Sequence, residues 1–237
     1  MSETPGPPAR YLARWEVDDV RGVVVVIDVL RAFTTAAYAF ASGASAIWLV
    51  GTVADALAMA REIPNCLTMG EDHGRRPAGF DFSNSPVEVA SADLDGRVLV
   101  QRTSAGTQGA LAAKRAERLF AASLVCASAT AAAVAETGLG VPTYVITGRF
   151  PDSPNGGGDD LATAQLIERA RRGEPLQIAE TSDAVAHSVW AKRMAGMDIG
   201  DVHPHDIAYA VDVDRFDFAM EVQRADAGLR LVARRAS

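Results

Sequence analysis

Apolar residues come in short unbroken runs, and segments of helical period lie between them. Val23–Asp28 is such a run closed by a carboxylate. It predicts a strand covered on both faces and placed centrally in a parallel sheet. Ala32–Ser42 follows with helical spacing, and Gly43 suits its C-cap. The alternation continues along the chain. Ala46–Val50, Cys66–Met69, Arg97–Gln101, Arg118–Ala121 and Thr143–Ile146 predict strands. A helix capped by Thr52 and running to about Arg61, then Thr107–Lys114, Ala127–Thr137 and Asp159–Arg172, predict the helices between and after them. Beyond Pro175 the period is helical, over Ser182–Met194 and Asp206–Val211. Phe216–Val222 and Leu229–Ala233 flank a turn at Asp226–Gly228 and predict a hairpin. Strands alternating with helices imply a three-layer α/β/α fold with a mainly parallel sheet and a C-terminal β-hairpin. Two long loops break the rhythm, Gly70–Pro86 and Gly148–Gly158, and loops of that length are usually functional or disordered.

Composition narrows this picture. The chain has 237 residues, 49% hydrophobic and 22% charged, enough for one large α/β domain or two small ones. The expected division is a tail and lead-in over 1–20 and a domain over 21–237, with room for two lobes around a cleft. No apolar run approaches the roughly 20 residues of a membrane span. MSETPGPPAR lacks a basic start followed by an apolar stretch, so it predicts a short disordered tail rather than a secretory signal. Cys66 and Cys126 are too few for a disulfide framework and predict free thiols in a reducing compartment, so the expected location is cytoplasmic. A net charge of −7 gives no basic surplus for nucleic acid.

In parallel sheets ligands sit outside the carboxyl ends of strands, so the polar residues just after each apolar run are the candidates. They are Asp28, Arg31 and Thr34; Glu71, Asp72 and His73; Asp81, Asn84 and Ser85; Arg102, Thr103, Ser104, Gly106 and Thr107; Ser123; and Asp159 with Asp160. Asp28 can be a metal ligand, a nucleophile or a helix N-cap. Arg31 can clamp phosphate in bidentate fashion or pair with Asp28. The turn Arg102–Thr107 can cradle an anion on successive N–H groups and hydroxyls, or simply cap a helix. Asp159 and Asp160 are either first-turn acids favoured by the helix dipole or ligands facing the same cleft. His73 is a candidate general acid. His187, inside a helical pattern, reads as packed, and His203 and His205 read as a surface turn. No phosphate loop, dinucleotide fingerprint, zinc spacing or GxSxG elbow occurs. Phe80 and Phe82 flank Asp81 in a polar loop and call for a covering surface, either a lid or a second subunit. A homodimer is the expectation drawn from them.

The ordered set VVVVIDVLRAFTTA, GEDHG, GFDFSNSP, RTSAGT, ASLVCASA and GDDLATAQLI resembles the 2-phosphosulfolactate phosphatase family, from about Val23 to Val222. The resemblance implies a magnesium-dependent hydrolase acting on a small phosphorylated hydroxy acid. It places Asp28, Arg31, Glu71 and Asp81 in catalysis and Asp28, Glu71 and Asp160 at the metal. Thr34, Asn84, Ser85, Arg102, Thr103, Ser104, Gly106, Thr107 and Ser123 are expected at the substrate. Ala105 and Cys126 stand where the family often has Asn, and Asp72 where it often has Arg. Leu30 occupies the place of the second acid of haloacid-dehalogenase-type phosphatases, so that mechanism is not indicated. A non-catalytic sensor for a small anionic metabolite is the alternative, and phosphate release separates the two.

Overall fold

The computed structural model describes residues 8–153, 155–196 and 201–235. Nine strands form one sheet: β1 Arg10–Leu12, β2 Val23–Ile27, β3 Ala46–Leu49, β4 Leu67–Gly70, β5 Val98–Arg102, β6 Arg118–Ala122, β7 Thr143–Ile146, β8 Phe218–Ala225 and β9 Gly228–Arg235. Their order is β1-β7-β2-β6-β8-β9-β3-β5-β4. β2 lies inside the sheet, parallel to β7 on one side and β6 on the other. Its side chains alternate between two cores. Val24 and Val26 enter one, while Val23, Val25 and Ile27 enter the other. Each valine buried in this way contributes roughly 1.5–3 kcal/mol. Both faces are covered, as the unbroken apolar run requires.

The sheet consists of two parallel blocks, β1-β7-β2-β6 and β3-β5-β4, joined by the antiparallel hairpin β8-β9. Three antiparallel pairings in succession, β6 with β8, β8 with β9 and β9 with β3, reverse the direction of the second block. In a flat sheet the carboxyl ends of the two blocks would point to opposite edges. Here they meet, because the sheet curls. A Cβ on Gly106, just after β5, would lie 2.8 Å from an Asp28 oxygen just after β2. The Gln101 amide of β5 also donates to the Ala32 carbonyl, at 2.8 Å.

Helices α1 Ala32–Ala41, α2 Val53–Glu62, α3 Pro86–Ala90, α4 Gly106–Ala112, α5 Ala127–Glu136 and α6 Gly158–Arg171 connect the strands. Thr52 and Ser85 cap α2 and α3 through Asp55 N and Glu88 N, as their sequence positions suggest. Three expectations change. Arg10–Leu12 is a strand rather than part of an unstructured lead-in; residues 1–7 of the expected tail lie outside the described residues. The helix expected over 182–194 is two helices, α7 Ile178–Ala186 and α8 Val189–Ala195, because Ser188 caps a new start by accepting Ala191 N at 3.0 Å. His187 ends α7 on the surface instead of packing inside. The last helix is α9, Asp206–Ala210.

Candidate active site

A cleft of about 260 Å³ opens where the two blocks meet. Asp28, Arg31, Glu71, Asn84, Ser104 and Asp160 line it, with Leu30, Phe150, Trp190 and Met194 as its apolar wall. From opposite ends of the sequence, β2, β4, β5 and β7 therefore deliver their C-terminal residues to one place.

Asp28 is both cap and cleft residue. Its Oδ1 accepts Ala32 N at 3.0 Å, the first-turn amide of α1. Burial pushes its carboxyl up to about 7, with Glu71 and Asp159 adding like-charge repulsion against the Ala32 amide. Asp160 Oδ1 accepts Val29 N at 3.0 Å, and its Oδ2 accepts Gly148 N at 2.8 Å and the Thr147 hydroxyl at 3.2 Å. Burial raises Asp160 well above the usual carboxylate range, and Asp159 and Asp28 raise it further. Asp159 is pushed up to about 6, again by burial.

The glycines before α6 have a packing reason. A Cβ on Gly148 would come 2.8 Å from Gly157 Cα, and one on Gly157 2.7 Å from an Ile146 methyl. Gly157 also holds φ +72°. Close approach at this point seats Asp160 on the Gly148 amide.

Glu71 organises the turn after β5. Its Oε1 accepts Ser104 N at 2.5 Å, and its Oε2 accepts the Ser104 hydroxyl at 3.0 Å and Gly74 N at 2.7 Å. Arg31 does not pair with Asp28. Its NH1 donates to Asp206 Oδ2 at 2.6 Å and to the Asp201 carbonyl at 2.9 Å. Asp206 is completely buried and also accepts the Ser85 hydroxyl at 2.6 Å and His203 N at 3.0 Å. Asn84 is buried, and its Oδ1 has no partner among the described residues. Such an orphan points to a ligand or bound water.

Other expected residues lie elsewhere. Thr34 is buried with its hydroxyl on the Val29 carbonyl at 2.7 Å. Asp81 is exposed and braces its loop through Thr68 N and Oγ1, at 2.8 and 2.9 Å. Arg102 donates to the Glu71 carbonyl and to Asp72, at 2.7 and 2.6 Å. Thr103 and Thr107 bond reciprocally, amide to hydroxyl, at 3.0 Å each way. Ser85 supports Asp206, Ser123 is buried and its hydroxyl has no partner among the described residues, and Gly106 backs directly onto Asp28. Phe80 packs with Val50, Ala56 and Val100, and Phe82 against the larger core, so both rings are covered within the chain. The motive for a dimer drawn from these rings is thereby removed.

Sequence reading missed Asp206, Thr147 and the aromatic wall. The segment around Asp206 offered only a first-turn acid, whose partners lie 121 and 175 residues away.

Buried carboxylates and a guanidinium held by Asp206 meet at the strand ends of an α/β protein, and the family match makes that protein a phosphatase. The profile of the family described as 2-phosphosulpholactate phosphatase matches residues 12–225. A probable 2-phosphosulfolactate phosphatase of Bacillus subtilis is 32% identical over 201 residues, 84% of this chain and 86% of the relative. Those of Thermus thermophilus and Thermoplasma acidophilum are 38% identical over 146 residues and 31% over 158, covering 61% and 66% of this chain and 60% and 68% of theirs. The chain belongs to the 2-phosphosulfolactate phosphatase family. No helix among the described residues is long and apolar enough to cross a membrane.

Proposed function

We propose that the cleft hydrolyses the phosphate ester of a small phosphorylated hydroxy acid, 2-phosphosulfolactate or a related compound, with magnesium bound. The observation that carries this reading is the convergence of Asp28, Asp160, Arg31 and Asn84 in one cleft. The names of the relatives agree with it.

Magnesium keeps several waters and takes one or two protein carboxylates. The described residues contain no cluster of three metal-ligating side chains, but they do hold the buried carboxyls Asp28 and Asp160, both raised chiefly by burial, with the charge of Asp28 raising Asp160 further. A dication suits that pair, since it favours the ionised forms that burial penalises. Asp28 and Asp160 would hold it, and Glu71 lies close enough to Asp28 to feel the same charge. When bound, the ion would neutralise charge on the phosphoryl oxygens.

The chain's own residues do the rest. Arg31 and Asn84 donate to phosphoryl oxygens. Glu71 fixes the Ser104 turn against the substrate. In the reaction, a water oxygen joins phosphorus, the ester P–O bond breaks and a proton reaches the departing alkoxide. His73, exposed at the cleft mouth, is the donor within reach of solvent.

Asp28→Asn is the decisive variant. It keeps the cap, because Asn also accepts an amide proton. Turnover is expected to fall at least a hundredfold. If Asp28 is the nucleophile, magnesium affinity by calorimetry changes little and a phospho-aspartyl enzyme is trapped in the unmutated protein. If Asp28 is a ligand, affinity falls in parallel with turnover. Activity within a few-fold of the unmutated protein would sink the reading. Binding of phospho-acids without release of phosphate by the unmutated protein would favour the sensor.

A further inference from the structure

Every Lys, Arg and His of the chain lies among the described residues. Arg31 supplies the guanidinium that lines the cleft, and Asp206 already neutralises it at 2.6 Å. Three acids, Asp28, Glu71 and Asp160, face the same space. A phosphorylated hydroxy acid brings at least two anionic groups, its phosphate and its carboxylate. Arg31 and Asn84 answer the first. The second needs a cation of its own, because an anion taken out of water without one is costly. Arg102 is committed to Asp72 at 2.6 Å. Arg193 stands 5.2 Å from the Trp190 ring centre, but it is exposed and water screens its charge.

Arg14 differs from both. Its NH1 donates to the Ser104 carbonyl at 2.8 Å, and its guanidinium carbon stands 4.8 Å from the Phe150 ring centre. Ser104 and Phe150 both line the cleft. The other Arg14 donors have no partner among the described residues, and no described carboxylate pairs with it. Burial lowers the guanidinium below its ordinary value, and the charge of Asp28 works against that shift, so Arg14 lies within electrostatic reach of the cleft acids. Its backbone is firmly held. Arg14 opens a single 3-10 turn, Arg14–Glu16, between β1 and β2. β1 pairs with β7, Arg149 donates to the Tyr11 carbonyl at 2.8 Å, Glu16 accepts Ala13 N at 2.8 Å, and Ala13 and Val17 are buried on either side of the turn. The cation is thus in place before a substrate arrives, which spares the cost of ordering it on binding. Arg31 rests on Asp206 and Asp201, Arg14 on Ser104 and Phe150. They share no partner and mark two separate anchor points.

We propose that Arg14 is the second anion-binding residue of the cleft: beside Ser104 and Phe150 it receives the carboxylate or sulfonate that the substrate carries in addition to its phosphate. The proposal rests on the phosphatase reading and adds the residue that makes the site prefer esters with a second negative group.

The test compares phosphate release, with magnesium, from 2-phosphoglycolate, 2-phosphosulfolactate and 2-hydroxyethyl phosphate, in which a neutral hydroxymethyl group replaces the carboxylate. In Arg14→Gln, kcat/KM is expected to fall about thirtyfold on the two acids, mainly through KM, and only a few-fold on the neutral ester. Arg14→Lys keeps the charge without the planar fork and is expected to fall between Arg14→Gln and the unmutated protein. A larger loss on 2-phosphosulfolactate than on 2-phosphoglycolate makes the sulfonate the group held; equal losses on these two make it the carboxylate. The same loss on all three compounds, or none on any, shows a structural brace and overturns the proposal. Should Arg14→Gln fail to fold by circular dichroism, Arg14→Lys carries the same comparison. Calorimetry separates the proposal from the reading beneath it. The unmutated protein and Arg14→Gln are titrated with sulfolactate and glycolate, the hydroxy acids left by hydrolysis, and with inorganic phosphate. Arg14→Gln is expected to weaken binding of a hydroxy acid about tenfold and to leave that of inorganic phosphate nearly unchanged. That result upholds Arg14 even where no ester is hydrolysed, in which case the phosphatase reading alone fails. Equal weakening of all three ligands, or no binding of either hydroxy acid by the unmutated protein, overturns the proposal.

Discussion

Arg31 and Asp206 show how one buried contact can organise a site. The carboxylate binds a guanidinium, a hydroxyl and an amide, with no exposure to water. Removing one partner of such a pair leaves a buried charge, at about 3–5 kcal/mol. Asp206→Ala is expected to lose stability of that order in urea unfolding. Asp206→Asn, which can still accept the Arg31 proton, is expected to lose less and to raise KM more than it lowers kcat. Equal stability of Asp206→Ala and the unmutated protein would show that the pair carries no weight.

The acids of the cleft make a second prediction at this scale. Asp28 is raised to about 7 and Asp159 to about 6, both chiefly by burial. A carboxyl raised in the folded state contributes stability that is fully present below its unfolded value, about 4, and is lost as pH rises through the folded value. Melting temperature in chelator is therefore expected to fall between about pH 4 and 7, and Asp28→Asn to flatten part of that slope. A metal-free melting curve independent of pH across this window would refute it. Asp28 and Arg31 could be picked out in the sequence as cleft candidates because they lie between a strand buried on both faces and the helix that follows it. Thr34 and Asp81 also follow strands, but the Thr34 hydroxyl donates to the Val29 carbonyl and the Asp81 carboxylate accepts the amide and hydroxyl of Thr68. Residue type and place in the chain do not record that choice.

At the scale of elements, the strand-to-helix turns do the positioning, and the β5–α4 turn packs directly on the start of α1. A Cβ on Gly106 would stand 2.7 Å from the Ala32 methyl and 2.8 Å from Asp28 Oδ2. Gly106→Ala must push α1 or Asp28 away, at about 1–3 kcal/mol for an overpacked methyl. The expected result is a folded protein by circular dichroism with turnover lowered at least tenfold, and activity within twofold of the unmutated protein would refute the contact. The long strands and helices were readable from apolar period. β1, three residues after a proline-rich stretch, has too few positions to show a period, and pairing with Thr143–Val145 decides it. The break between α7 and α8 was hidden for a different reason: Ser188 lies in an apolar pattern that continues across it, and only the captured Ala191 amide marks the new start.

At the scale of the whole molecule, the reversal of the second parallel block was beyond the sequence. Alternating strands and helices predict parallel pairing within each block, and the hairpin is visible in its own turn. Nothing local says that the hairpin will be inserted between the blocks instead of added at an edge. The β8–β9 strands hold both sides through β6 and β3, and the Arg118–Glu221 pair ties one of those borders. Ending the chain before β8 is expected to leave two blocks with exposed edges that aggregate on expression; a monomeric, active product would contradict this.

The inserted hairpin also sets an order of events at the ribosome. Every strand that ends at the cleft emerges before Phe218, yet the strand pairing that joins the two blocks is made by β8 and β9, which begin there. β3 must wait for β9, made some 180 residues later. A chain emerging at about 5–20 residues per second spends many seconds with two unmatched sheet edges. The growing polypeptide is thus a natural client for chaperones that shield β-edges, and its activity should appear abruptly, once β9 has emerged.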